Sequence, residues 1–303
     1  MRGRTFSNQA TQHIYQRTKD HGVWFYTTLD RLVYYSLAAC KAKKYRVQVL
    51  AASIMYTHLH QAVRACCLED LRAYLQDTNS CFGRLYNCEY HRKGQLFDDD
   101  PGRSQKNSSK EQRSNLIYVY NNHVEKGLCS RAVEERWSFL AFAVCDNPFS
   151  KAIDRKRLSK PLSMSMKLVD RRVGRLKALE YQDLHRIQKR LTEEEWEQFV
   201  DYAITKYAWI DYDGAVSLFG GLKEMILAID STTGGEYDIR EDYSRLKDTG
   251  YRDMIAWLER EHRLSGLFAL SDEERMELLM ECRRRLASHP DHLRRMFHVE
   301  DTV

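Results

Sequence analysis

No stretch of this 303-residue sequence approaches the roughly 18 consecutive apolar residues that cross a bilayer. The first residues, Met1 to Ser7, lack the apolar centre of a secretory signal. Both absences lead us to expect a soluble, cytoplasmic protein with no membrane partner. Eight cysteines are present, at positions 40, 66, 67, 81, 88, 129, 145 and 282, but they form no Cys-x-x-Cys pair and no regular framework. That pattern argues against a disulfide scaffold and for reduced thiols. There is no internal repeat, no low-complexity tract and no glycine-rich loop of the kind that cradles nucleotide phosphates.

What is present is globular in proportion, with 43% hydrophobic and 30% charged residues. The length exceeds that of a usual single domain, so two domains are expected. The formal net charge of +5 permits a polyanionic partner without requiring one. Its distribution is uneven: residues 1–150 carry about +7, residues 151–190 about +9 and residues 191–260 about −9.

The first half mixes strand and helix signals, and the second half reads as helical. His13 to Arg17 is a short β-like run, and Leu29 to Lys43 carries apolar residues at helical spacing. Tyr45 to Leu50, Ala52 to Met55 and Thr57 to Val63 read as two strands pairing around Ser53–Tyr56. Glu69 to Tyr90 reads as a second helix. The polar Gly94 to Gln112 segment, with Asp98, Asp99 and Asp100, is expected to be a mobile surface loop. Ser114 to Gly127 then reads as a helix with Gly127 as its stop. A boundary is expected near residues 148–152. Beyond it lie a basic segment, Lys151 to Arg190, and two capping boxes, Thr192 to Glu195 and Ser271 to Glu274, each marking a helix start.

Two pairs of residues suggest chemistry. His58 and His60 flank Leu59, so on a strand both imidazoles leave one face and could serve one metal ion. Such a spacing also arises by accident of composition. Tyr118 and Asn122 stand one helical turn apart, so a phenol and an amide oxygen would share one face. The bland alternative is a buried aromatic with a surface amide. Tyr120, two residues from Tyr118, should face elsewhere and serve the core; His13 and His123 are candidates for support of the site or for structural roles.

The order of these segments resembles that of the REP-associated tyrosine transposases, members of the HUH single-tyrosine superfamily. The run Ile54 to His60 resembles their histidine segment, and Tyr118 to Leu128 their tyrosine–asparagine segment. Arg92 to Phe97 lies between the two as in that family, with His13 to Arg17 upstream and Arg136 to Phe142 downstream. The resemblance implies an α+β, ferredoxin-like HUH domain with a central antiparallel sheet over residues 1–148. We expect it to be followed by a basic helical linker over 149–190 and an all-α C-terminal domain over 191–303. It further implies that His58, His60 and Asn122 bind Mg²⁺ or Mn²⁺ and that Tyr118 is the nucleophile. The implied activity is metal-dependent nicking and strand transfer of single-stranded DNA near a hairpin, through a 5′-phosphotyrosine. The enzyme would act as a monomer or homodimer.

Three departures from the family pattern stand near the site. His123 replaces the proline after the asparagine, Tyr56 replaces a proline before the histidines, and Asp98 to Asp100 replace polar and basic residues. They keep open a second function, that of a domesticated hairpin-binding or regulatory protein without transposition. A third, a metal-dependent hydrolase, is disfavoured because no further His/Asp ligand cluster is visible. Candidate DNA contacts are Arg17, Arg92 and Lys93 in the first half, and Arg155, Lys156, Arg157, Arg171 and Arg172 beyond it. The alternative for each is a solvated charge, and for the basic segment as a whole an ion-paired face against the acidic stretch. Ser271 to Val299 has the helix, break, helix order of a helix-turn-helix, with simple packing helices as the default.

Overall fold

The computed structural model describes residues 6–232, 247–261 and 264–299. Met1 to Thr5 of the N-terminal segment and residues 233–246 of the acidic stretch lie outside the described residues. The chain runs β1 (Thr11–Arg17), α1 (Thr28–Lys44), β2 (Gln48–Ile54), β3 (His58–Arg64), α2 (Leu68–Glu89), β4 (Gly102–Lys106) and α3 (Ser109–Glu125). The four strands form one antiparallel sheet in the order β2-β3-β1-β4. Helix α1 begins at a capping box: Thr27 N donates to Asp30 Oδ2 at 2.8 Å, and Asp30 N donates back to Thr27 Oγ1 at 3.2 Å. It ends on Lys41, Lys43 and Lys44, which complement the negative end of its dipole.

Strand alternation divides the sheet into two chemically different faces. Ile14, Ala52, Ile54, Leu59 and Val63 join an apolar cluster with α1 and α2. Ala51 and Ala62 point the other way, into a cluster with Leu116, Val119 and Tyr120 of α3. Because side chains alternate along a strand, His58 and His60 share the α3 face with Ala62, while Leu59 packs on the α1–α2 face.

The region 94–112, expected to be a surface loop, is corrected by the structure. It contains β4, which pairs with β1 from Thr11↔Lys106 to Tyr15↔Gly102, and the first turn of α3. An edge strand pairs on one side only and buries little, so Gly102 to Lys106 carries no apolar alternation to reveal it. The early start of α3 comes from a second capping box, formed by Ser108 and Glu111. Gly127 follows the helix at φ +75°, a left-handed position that costs glycine little.

Every regular element described beyond residue 149 is helical: α4 (Lys160–Gly174), α5 (Tyr181–Gln188), α6 (Glu193–Tyr207), α7 (Tyr212–Val216), α8 (Leu222–Asp230), α9 (Thr249–Glu261), α10 (Asp272–Leu286) and α11 (Pro290–Phe297). Both expected capping boxes are formed, at Thr192 and Ser271. Leu162, Val169, Leu184 and Phe199 share one cluster with Leu32, Val33 and Phe82, so apolar packing is continuous across residue 149. At the centre of that junction the buried Asp30 carboxylate accepts from Tyr90 Oη at 2.9 Å and Tyr181 Oη at 2.8 Å. Burial raises its pKa, and the Thr27, Tyr181 and Tyr90 donors pull it back.

Helices α9 to α11 close over residues 22–26 and Tyr56. Val23 N donates to Arg295 O at 2.9 Å, Tyr26 Oη donates to Met296 O at 2.6 Å, and the His298 ring stacks on Trp24 with centroids 3.9 Å apart. The helix, break, helix order expected over 271–299 is present, but α11 uses Leu293, Met296 and Phe297 for this docking. Among the described residues no helix is long and apolar enough to cross a membrane.

Candidate active site

Helix α3 lies across the sheet face that carries the histidines, and it meets them with residues at helical spacing: Asn115, Tyr118 and Asn122. The meeting places His58 Nε2 3.3 Å from Asn122 Oδ1. The Tyr118 ring stands edge-on to His60, with centroids 5.3 Å apart at 90°, and 5.6 Å from the ring of His13. The imidazoles of His58 and His60 are themselves 5.0 Å apart. All four expected site residues are thus brought together, although His60 and Tyr118 lie 58 positions apart in the chain. The cluster is enclosed: His58 is 8%, His60 0%, Tyr118 3% and Asn122 3% exposed.

A chain of hydrogen bonds behind His60 fixes its protonation pattern. Asn115 Oδ1 lies 2.6 Å from His13 Nδ1, and an amide oxygen only accepts, so His13 Nδ1 carries the proton. In a neutral His13 the other nitrogen, Nε2, is then an acceptor, and it faces His60 Nδ1 at 3.4 Å. His60 Nδ1–H donates to it, which makes His60 Nε2 the lone-pair atom. Burial above all, with the nearby Lys126 charge, holds the His60 pKa well below its ordinary value, so the ring is neutral at physiological pH. A neutral imidazole backed by such a partner is what a ligating histidine needs.

Among the described residues no group of three or more His, Cys, Asp or Glu side chains is arranged to hold a metal ion. A cation here would therefore rely on two imidazoles and one amide oxygen. The donors fit that task. In an octahedral shell with ligand distances near 2.1 Å, neighbouring ligands lie about 3 Å apart, close to the 3.3 Å between His58 Nε2 and Asn122 Oδ1. The nitrogen-rich set suits Mn²⁺ better than Mg²⁺, which strongly prefers oxygen.

The neighbouring candidates separate into structural and peripheral groups. Tyr120 Oη donates to Leu50 O at 3.0 Å in full burial, so it serves the core as expected. His123 Nδ1 lies 3.3 Å from Ser53 Oγ, and burial pushes its pKa down to about 4. Of the eight basic residues expected to contact DNA, Arg17 alone stands on the histidine face, opposite His58 in the β1–β3 register. Arg92 lies over the Trp24 ring, 4.2 Å from its centroid, and Lys93 beside it is exposed. Arg155, Lys156 and Arg157 are exposed ahead of α4, and Arg171 is exposed on it. Arg172 is bound to Glu180 and Asp183. Helix α4 packs with α6, which packs on α1, so these last residues lie across the sheet from the histidines.

Two participants were missed from the sequence. Tyr15 stacks on His60 with centroids 4.8 Å apart, and Asn115 anchors His13. The period-two spacing of Tyr15 from His13, and the three-residue spacing of Asn115 from Tyr118, were the signals that would have pointed to them.

Compared with known proteins, the chain matches no family model and no curated protein. Among solved structures it is distantly similar to a REP-associated tyrosine transposase bound to a REP hairpin. The two share 14% sequence identity with a TM-score of 0.41, over 52% of this chain and 94% of that one.

Proposed function

We propose that this protein is a DNA-processing enzyme that nicks and rejoins single-stranded DNA beside a hairpin, with Tyr118 as nucleophile. One observation carries the reading: His58, His60, Asn122 and Tyr118 converge on one sheet face, with His58 Nε2 and Asn122 Oδ1 3.3 Å apart and Tyr118 edge-on to His60. The β-α-β-β-α-β element order with strand order 2-3-1-4 supports a ferredoxin-like domain over residues 1–148. Residues 149–190 would form a basic connector and 191–303 a helical domain.

In this reading His58, His60 and Asn122 hold Mn²⁺ or Mg²⁺, which when bound withdraws charge from the scissile phosphate. The Tyr118 phenol oxygen attacks phosphorus as the bond to the 3′ oxygen breaks. A 5′-phosphotyrosine and a free 3′-OH result, with a net transfer of the phenol proton to the departing oxygen. The Asn115–His13 pair keeps His60 in one tautomer throughout. Because the phosphodiester energy is retained in the tyrosine ester, reversal onto another strand needs no nucleotide. The test is incubation of labelled hairpin-bearing single strands, drawn from the DNA flanking the gene, with the protein and Mn²⁺. A covalent adduct that Tyr118→Phe abolishes is expected; no adduct with any such strand sinks the reading.

The enclosure of the cluster favours a second reading, a hairpin-binding protein that does not cut. With Tyr118 3% and His60 0% exposed, DNA reaches these atoms only if covering segments move. Hairpin binding that persists unchanged in His58→Ala and without metal would select this reading.

A further inference from the structure

Strand β1 pairs Tyr15 directly with His60 and Arg17 directly with His58. Side chains directly opposite each other in a sheet share a face, so all four leave the sheet on the side of α3. The Tyr15 ring stacks on His60 at an interplanar angle of 18° and meets His58 edge-on, with centroids 5.5 Å apart. Arg17 Nε donates to Tyr15 Oη at 3.1 Å, and the guanidinium carbon lies 5.0 Å from the centre of the Tyr15 ring. On the opposite face of the same strand Ile14 does the apolar packing. Both Tyr15 and Arg17 are only half-buried, whereas His60 is fully enclosed.

We propose that Arg17 binds a DNA phosphate at the mouth of the histidine cluster, and that Tyr15 is a positioning residue that fixes the guanidinium there. The proposal rests on the functional reading above and names the protein group that receives its substrate. A guanidinium is a planar fork of donors matched to two phosphate oxygens, and it keeps its charge at all physiological pH values. With Nε held by the Tyr15 hydroxyl and the ring braced against His60, the plane of the fork is set by the same residues that set the histidines. A phosphate on Arg17 would therefore be registered to His58, the imidazole opposite it in the sheet. The acidic loop joins the same strand end, since Asp98 N donates to Arg17 O at 3.1 Å. Its Asp99 and Asp100 are exposed to solvent.

The experiment uses the full chain with Mn²⁺ and a fluorescein-labelled single-stranded oligonucleotide that folds into one hairpin. Anisotropy gives its affinity over a range of salt concentrations, and gel analysis gives the rate of adduct formation at saturating DNA. Each phosphate neutralised on a single strand contributes about 0.7 to the slope of log affinity against log salt. Arg17→Ala is expected to lower that slope by about 0.7 and to weaken binding roughly tenfold. Arg17→Lys should restore the slope but not the adduct rate. Tyr15→Phe should leave slope and Mn²⁺ affinity unchanged while slowing adduct formation. Arg72→Ala, exposed on α2 across the sheet, is the control and should not slow the adduct step. Circular dichroism melting verifies that each variant is folded, and Arg17→Gln replaces Arg17→Ala if the latter is not. A wild type that binds and reacts, with an Arg17→Ala slope and rate equal to its own, overturns the proposal alone. A wild type that neither binds nor reacts with any hairpin strand overturns the functional reading and the proposal with it.

Discussion

Removing the support behind His60 should weaken the proposed metal site without touching a ligand. Asn115→Leu deletes the acceptor that lies 2.6 Å from His13 Nδ1. His13 is then free to carry its proton on either nitrogen. In the wrong tautomer His13 Nε2–H faces His60 Nδ1, which turns His60 and puts a proton on the nitrogen that a metal would use. Outer partners of ligating histidines are typically worth 10–100-fold in affinity, or about 1.4–2.7 kcal/mol. The His13–His60 contact is long, at 3.4 Å, which places Asn115→Leu near the tenfold end. His13→Phe removes the partner of His60 outright and should approach the hundredfold end, and His13→Gln, whose amide oxygen still accepts, should recover most of it. Titration of Mn²⁺ followed by electron paramagnetic resonance measures each affinity, with thermal melting as the check on folding. Folded Asn115→Leu and His13→Phe proteins that bind Mn²⁺ within twofold of wild type would refute the relay.

Three further outcomes concern stability. Asp248, 5% exposed, is raised by burial to about 6, with Lys126 and Arg295 only partly offsetting it. Its folded pKa lies above the unfolded value near 3.9, so the ionised form costs stability that is lost as pH rises from about 4 to 6 and stays lost above. At about 1.4 kcal/mol per tenfold change in proton affinity, Asp248→Asn should stabilise by up to roughly 3 kcal/mol at pH 7 and by almost nothing at pH 4, read from denaturant unfolding at both. Tyr120→Phe leaves the buried Leu50 carbonyl without the hydroxyl that donates to it at 3.0 Å and should cost about 1–3 kcal/mol. A calorimetric melt indistinguishable from wild type would contradict its core role. Tyr181→Phe and Tyr90→Phe each remove one donor from buried Asp30. Single losses of about 1–3 kcal/mol are expected in chemical denaturation, with a non-additive double variant, because both act on one carboxylate.

The histidine and tyrosine pairs could be read from the sequence because their spacing is local: period two on β3, and one turn on α3. That the pairs face each other is a tertiary fact, set by how α3 crosses the sheet. Capping boxes at Thr192 and Ser271 announced α6 and α10 from side-chain chemistry alone. Strand β4 left no such trace, since Gly102 to Lys106 pairs through its backbone at an edge and contributes no apolar face. Tyr15 was hidden differently: its sequence neighbours mark a strand, but its role depends on the β1–β3 register that puts it against His60. The basic residues illustrate the converse. Arg17 and Arg172 look alike in sequence, yet one faces the histidines and the other is bound by Glu180 and Asp183.

Mapping a covalent protein–DNA adduct decides whether Tyr118 is the nucleophile. Hairpin-bearing single strands from the gene's flanks are incubated with Mn²⁺ and the wild-type, Tyr118→Phe, Tyr15→Phe or His58→Ala protein. Adducts are resolved on denaturing gels, and the modified peptide is identified by mass spectrometry. A metal-dependent 5′-phosphotyrosine on Tyr118 is expected, absent from Tyr118→Phe and His58→Ala and slowed in Tyr15→Phe. An adduct that survives in Tyr118→Phe, or maps to another tyrosine, would contradict that role.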